Sequence, residues 1–141
     1  MPHLVMLYTG NLDGQTDINI LCRKLADAML SVQDEEGKQV FPTGGTRVLA
    51  YPAPHYAVAD GGAAGIAAGG SGEYAFVYLN LRMGRGRSDA TKKRAGDALL
   101  TAAKGFLEPV FAERHIGLTV QVDEGPEVYD AKHSTLHPLF K

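Results

Sequence analysis

The chain has 141 residues, a mass of 15.1 kDa and a formal net charge of -2, with 45% apolar and 21% charged residues. This length fits one globular domain, which buries enough surface to fold without metals or disulfides. The apolar fraction and small net charge exclude intrinsic disorder, and no apolar run approaches the length that spans a bilayer. An isoelectric point near 6.2 argues against nucleic acid or an anionic membrane as the main partner.

The start of the chain favours a cytoplasmic location. The first residues, Met1–Met6, carry neither the cationic region nor the long apolar region of a secretory signal. We therefore expect a cytoplasmic protein. The single cysteine, Cys22, cannot form an internal disulfide.

The first part of the chain predicts a strand followed by a helix. Residues Pro2–Tyr8 are rich in strand formers and are followed by turn-forming residues. Between Ile18 and Met29, apolar residues recur at steps of three and four, and Asp17 is placed to cap the first turn. These spacings predict an amphipathic helix.

A second strand and an insertion come next. Thr46–Tyr51 has strand character, and Pro52 and Pro54 are predicted to end it because proline has no backbone N–H to donate. In Gly61–Gly72, ten of twelve residues are Gly or Ala and none is charged. Such side chains offset little of the entropy lost on ordering, so we expect a flexible surface insertion at 61–72.

The second half repeats the strand–helix–strand order. Tyr74–Met83 alternates in a way that predicts a strand, and Ser88 is placed to cap a long helix with apolar positions reaching Val110. A last strand at Gly117–Val122 precedes the tail, Asp123–Lys141. The order predicts a single α+β (α/β) domain over residues 1–141, in which two βαβ units form one sheet with two helices packed on it.

Pro2 is a candidate base. Initiator methionine is usually removed before a small residue, and removal would turn the amide nitrogen of Pro2 into a secondary amine. An apolar pocket beside cationic side chains disfavours the ammonium form, so this amine could be a free base near neutral pH. The alternative interpretation is that Pro2 only begins a strand.

Two arginine-bearing turns are candidate anion sites. One turn ends at Arg47, and the other, Gly84–Ser88, contains Arg85 and Arg87 and leads into the second helix. A guanidinium matches a carboxylate, and the start of a helix adds free N–H groups and a positive dipole end. The alternatives are a solvated basic turn or a nucleic-acid patch, although no aromatic platform accompanies these arginines. Two glycines are too few for a dinucleotide-binding fingerprint.

The remaining reactive side chains favour structural roles. Cys22 lies on the apolar stripe of the first helix, where a thiol is more often buried than nucleophilic. His133 and His137 are four apart but have no third ligand spaced with them, which argues against zinc. His3 is interpreted as a structural residue of the first strand.

An ordered set of segments resembles the 5-carboxymethyl-2-hydroxymuconate isomerase family, part of the tautomerase superfamily. The resemblance covers nearly the whole chain apart from Gly61–Gly72. It is carried by Met1–Val5, Phe41-Pro42, Arg47, Tyr74–Val77, Gly84–Ser88 and the ending His137–Lys141.

The resemblance implies a homotrimer of tandem βαβ units with Pro2 as the proton-transferring base. It also implies that Arg47 and Arg87 bind substrate carboxylates, with Arg85 as a competitor for that role. The substrate is expected to be a small carboxylate, and the reaction needs neither a metal nor an organic cofactor. No nucleic acid or membrane is expected as a partner.

The implied chemistry is a proton shift that converts an unsaturated 2-hydroxy acid from dienol to conjugated ketone during breakdown of aromatic acids. Members of the family often carry an acidic residue late in the first strand, where this chain has Leu7-Tyr8. A tautomerase for another small unsaturated acid is therefore an alternative. A second alternative is a non-catalytic anion-binding protein, since a retained Met1 would leave Pro2 without a basic nitrogen.

Overall fold

The computed structural model describes residues 2–140 and places four strands in one mixed sheet. Their spatial order is β2-β1-β3-β4; β1 runs parallel to β2, β3 runs parallel to β4, and the central pair β1 and β3 is antiparallel. The strands are β1 (His3–Thr9), β2 (Arg47–Ala53), β3 (Ala75–Met83) and β4 (Ile116–Glu124). Two βαβ units thus form one sheet, which confirms the predicted fold.

Each parallel pair of strands is connected through a long helix. The helices are α1 (Ile18–Leu30), the short α2 (Ala63–Ala67) and α3 (Asp89–Glu113). Single 3-10 turns occur at Gly10–Leu12, Thr43–Gly45 and His137–Phe140. Within residues 2–140, no helix is both long enough and apolar enough to cross a membrane.

The two long helices begin at the predicted caps. The Asp17 carboxylate accepts a hydrogen bond from the backbone N–H of Ile20 at 3.1 Å. The Ser88 hydroxyl accepts one from the backbone N–H of Thr91, also at 3.1 Å. Each cap satisfies an N–H that has no partner inside the first turn, which is why these residues start the helices.

Both long helices cover the same face of the sheet. Leu4 and Met6 of β1 alternate towards α1, where they join the fully buried Leu21 and Leu25 in one apolar core. Within residues 2–140, neither long helix covers the opposite face, and there Leu7, Leu49 and Tyr51 are exposed by 45%, 48% and 51%. The molecule therefore has one closed face and one open face.

The predicted end of β2 is wrong by two residues. The strand continues through Pro52, which pairs with Tyr8, and ends at Ala53. β2 lies at the edge of the sheet and bonds a neighbour on one side only. A proline is tolerated there because it has no backbone N–H to donate, and an edge strand makes no ladder hydrogen bonds on its unpaired side.

The Gly/Ala-rich insertion contains local structure that its composition does not predict. Asp60 accepts hydrogen bonds from the backbone N–H groups of Gly62 and Ala64, both at 2.9 Å, at the start of α2. The Tyr74 hydroxyl accepts the N–H of Gly65 at 2.8 Å, and a Cβ on Gly65 would lie 2.7 Å from the Tyr74 ring. The flexibility expected of this insertion stays a prediction.

Candidate active site

The sheet topology gathers the candidate residues at one end of the sheet. Because β1 and β2 are parallel and β3 runs against them, β1 and β2 begin where β3 and β4 end. The register pairs His3 with Arg47 on β2 and with Arg82 on β3. Pro2, one residue before His3, therefore lies at the end where both arginine-bearing turns join the sheet.

Pro2 is buried and directly precedes β1. The two neighbouring strands place Arg47 and Arg82 beside His3, the next residue, so positive charge lies at the end of the sheet where Pro2 is buried. Both effects disfavour an ammonium form of a proline amine. Met1, on whose removal that amine depends, lies outside the described residues.

Arg47 is held by hydrogen bonds on two sides. Its Nη1 donates to the carbonyl of Gly45 at 3.1 Å, and its Nε donates to Nδ1 of His3 at 2.9 Å. Nη2 of Arg47 also lies 2.8 Å from Nε2 of His3. The guanidinium is therefore fixed between the Thr43–Gly45 turn and the first residue of β1.

Arg87 is fixed by the loop after β3 and by the segment before β2. Its Nη1 donates to the carbonyl of Gly84 at 3.0 Å, and its Nη2 donates to that of Val40 at 3.3 Å. Its guanidinium carbon lies 5.4 Å from the ring centre of Phe41, which is a cation–π distance. The half-buried Arg87 therefore joins the two turns that the sequence singled out.

Arg85 has a different environment from Arg87. It is exposed, and its Nε donates to the carbonyl of Gly125 at the end of β4 at 2.8 Å. Arg85 thus remains a competitor of Arg87 for a carboxylate.

The structure adds polar residues that sequence reasoning missed. Nε of Arg82 donates to Oδ1 of Asn80 at 2.7 Å, and the Asn80 amide donates to Asp123 at 2.8 Å. The alternation of β3 contained the signal, because the face that carries Tyr78 continues to Asn80 and Arg82. His3 was missed as well, since nothing in the sequence reveals that Arg47 is its partner.

The pKa of the His3 imidazole is lowered from its ordinary value. Partial burial between the flanking strands is the largest cause, followed by the positive charges of Arg47 and Arg82, whereas the carboxylate of Asp130 acts in the opposite direction. The imidazole is therefore neutral at neutral pH. In that state it accepts a hydrogen bond at one ring nitrogen.

A groove of about 810 Å³ runs between α1 and the edge strand β2. Arg47, Thr43 and Thr46 line one side, and Phe140 of the C-terminal turn lies at its margin. Cys22 also lines the groove, and burial raises the pKa of its thiol. The thiol is therefore protonated at neutral pH and poorly suited to nucleophilic chemistry, in agreement with the structural role predicted for it.

The comparisons with known proteins point to one family. The model of the family described as 5-carboxymethyl-2-hydroxymuconate isomerase matches residues 2–140. A solved structure described as 5-carboxymethyl-2-hydroxymuconate delta-isomerase is 64% identical, covers 100% of this chain and 93% of its own, and superposes with a TM-score of 0.96.

Two further relatives carry the same name. A 5-carboxymethyl-2-hydroxymuconate isomerase structure from Deinococcus radiodurans R1 is 34% identical, with coverage of 99% of this chain and 94% of its own and a TM-score of 0.80. The Escherichia coli 5-carboxymethyl-2-hydroxymuconate Delta-isomerase is 24% identical over 141 residues, which is 100% of both chains. The chain belongs to the 5-carboxymethyl-2-hydroxymuconate isomerase family.

Proposed function

We propose that this protein is a cofactor-independent isomerase that shifts a proton in 5-carboxymethyl-2-hydroxymuconate, with Pro2 as the base and Arg47 and Arg87 as carboxylate-binding residues. The observation that carries the proposal is the strand register, which brings Pro2 and both arginine-bearing turns to one end of the sheet. Family membership supplies the reaction class. The cytoplasmic location expected from the sequence stays part of this proposal.

The proton transfer needs only groups of the protein and the substrate. The neutral amine of processed Pro2 takes the proton of the 2-hydroxyl group, and the electron pair moves into the conjugated system to form the 2-oxo group. The same amine returns the proton at a carbon of the chain, so that atoms and charge balance. A positioned base of this kind contributes about 100-fold to 10,000-fold to the rate.

Each of the two arginines has two tasks in this mechanism. Arg47 and Arg87 bind the carboxylates and so orient the dienol towards Pro2. Negative charge that develops on the substrate oxygen during proton transfer is stabilised by the same guanidinium groups. Because Arg47 and Arg87 are both held by hydrogen bonds, little reorganisation is needed when the substrate binds.

We further propose that the protein acts as a homotrimer. The open face of the sheet exposes Leu7, Leu49 and Tyr51, and within the described residues no helix covers them. Apolar surface of this kind on a sheet is typical of a subunit contact. The trimer is the assembly that the family resemblance implies.

The primary test compares Pro2→Ala and Arg87→Ala with the wild type, after intact mass has shown loss of one methionine in each protein. Pro2→Ala should mainly lower kcat because the amine changes its basicity and shape. Arg87→Ala should raise KM because a carboxylate loses its partner. Formation of the conjugated ketone is followed by its ultraviolet absorbance.

Lys93→Ala is the matched control, because Lys93 is an exposed cation on α3 that pairs with Asp97 at 2.6 Å. It should keep wild-type kinetics. Small and equal effects of Pro2→Ala and Arg87→Ala would place the active site elsewhere, and full retention of Met1 in the native host would favour anion binding without turnover.

Leu7 favours a second candidate substrate. It is exposed on the open face and gives that surface apolar character where family members often carry an acid. A tautomerase for another small unsaturated acid is therefore the competing function. A substrate panel decides between them, because a strong preference for the carboxymethyl compound excludes the competitor.

A further inference from the structure

His3 and Arg47 form a polar contact between side chains of neighbouring strands at the Pro2 end of the sheet. The guanidinium presents Nε to Nδ1 at 2.9 Å and Nη2 to Nε2 at 2.8 Å. The residues are 44 positions apart and meet only because β1 and β2 pair in register. A neutral imidazole accepts at one of these nitrogens, and an imidazolium accepts at neither.

We propose that His3 is a positioning residue for Arg47, whose guanidinium it holds towards the substrate when the imidazole is neutral and releases when the imidazole takes a proton. This inference rests on the proposed function, since it assigns a control to the carboxylate-binding role of Arg47. His3 itself need not touch the substrate. Its effect is on the orientation of Arg47 and therefore on substrate binding.

The charges around His3 favour this two-state behaviour. Arg47 on β2 and Arg82 on β3 face the imidazole, and both oppose a positive charge on it. Asp130 of the tail favours the charged form, but Lys132 forms an ion pair with Asp130 and weakens that effect. In the processed chain, the amine of Pro2 is a further titratable neighbour.

Protonation of His3 would set N–H donors of the imidazolium against N–H donors of Arg47. The hydrogen bond is then lost and two positive charges repel each other. The remaining hydrogen bond to Gly45 holds only one side of the guanidinium. Binding of the carboxylate should therefore weaken as the pH falls through the pKa of His3.

The test uses processed protein with the variants His3→Asn and His3→Leu. The Asn side chain keeps an acceptor near the position of Nδ1 but takes up no proton, whereas Leu has no acceptor. His55→Asn is the matched control, because His55 is exposed in the segment after β2 and away from the candidate site. kcat and KM for 5-carboxymethyl-2-hydroxymuconate are measured from about pH 5 to about pH 8.

In the wild type and in His55→Asn, KM should rise as the pH falls through the imidazole pKa. His3→Asn should keep KM within about threefold of the wild type at the upper pH and show no such rise, because its acceptor does not titrate. His3→Leu should raise KM about tenfold at the upper pH, again without that rise. Pro2 is present in all four proteins, so only the difference between the His3 variants and the wild type reports on His3.

A measurement without substrate separates this inference from the proposed function. The Nε–H proton of Arg47, observed by ¹⁵N-edited NMR, should exchange slowly with water in the wild type and in His3→Asn. In His3→Leu it should exchange rapidly. Persistence of slow exchange in His3→Leu, or a wild-type KM profile in both variants, would overturn the positioning role. If Arg47→Ala instead leaves turnover unchanged, the proposed role of Arg47 in substrate binding fails. Exchange of the Nε–H proton in the wild type and in the His3 variants still decides whether His3 holds Arg47.

Discussion

Tyr8 shows how a single side chain in this fold combines burial with a polar contact. Its ring belongs to the core and is only 5% exposed, while its hydroxyl donates to a carboxylate oxygen of Asp13 at 2.6 Å. Burial, followed by the hydrogen bond and the negative charge of Asp13, raises the pKa of Tyr8 to about 12. The residue therefore ties the end of β1 to the turn that leads into α1.

This contact predicts a loss of stability at high pH. The folded pKa of Tyr8 lies above the ordinary value near 10, so the folded state binds the proton more tightly than the unfolded state. The stabilisation is fully present below about pH 10 and is lost as the pH rises through about 12. Tyr8→Phe should lower the free energy of unfolding by about 1 kcal/mol at neutral pH and remove that alkaline loss.

Tyrosinate absorbance during titration and chemical denaturation check this prediction. Tyr8 should be the last tyrosine to ionise. The control is Tyr129→Phe, because Tyr129 is 82% exposed in the tail and its removal should change stability little. Ionisation of the Tyr8 phenol together with the exposed tyrosines would contradict the argument.

At the scale of elements, the insertion between β2 and β3 is held by hydrogen bonds among its own and adjacent residues. α2 has five residues, and the first turn is held by Asp60. A helix this short is not stable by itself, so its persistence depends on these bonds and on the contact with Tyr74. Backbone amides here should open more easily than those of β1 and β3.

Hydrogen exchange tests that expectation directly. Amides of residues 61–72 should exchange faster than those of β1 and β3, and Asp60→Ala should accelerate the exchange of Gly62 and Ala64 further because their acceptors are removed. Asp97→Ala, an exposed carboxylate on α3, serves as the control and should leave the insertion unchanged. Protection equal to that of the sheet would exclude the flexible insertion.

At the scale of the whole molecule, the open sheet face is the proposed subunit contact. The other face of the sheet is covered by α1 and α3 and contributes to the buried core. The exposed apolar residues Leu7, Leu49 and Tyr51 lie on the open face, which also carries the polar chain from Arg82 to Asp123. A contact there would place the His3–Arg47 pair beside a second subunit.

Leu49→Asp should therefore dissociate the proposed trimer. A carboxylate at this position would have to be desolvated in the contact, which costs several kcal/mol unless it is paired. Sedimentation should show wild-type protein at three times the chain mass of 15.1 kDa and the variant at the monomer mass. Leu100→Asp is the control, since Leu100 is an exposed leucine of α3 and its replacement should leave the assembly intact.

Much of the fold follows from local sequence patterns. Asp17 and Ser88 begin helices because their side chains accept the free N–H groups of a first turn, and this depends only on nearby residues. The strand-forming residues of β1 and the alternation of β3 likewise predict strands, and the order of elements predicts two βαβ units. The roles of Pro2, Arg47 and Arg87, by contrast, came from resemblance and chemistry rather than from spacing.

The amino-acid sequence by itself determined the two helices, the approximate strands and the residue types available for proton transfer and carboxylate binding, because these depend on local periodicity and side-chain chemistry. Only the tertiary structure decided that His3 contacts Arg47, that Pro52 lies on a tolerant edge strand and that one face of the sheet stays open. These features depend on strand order and register, which are set by contacts between residues far apart in the chain.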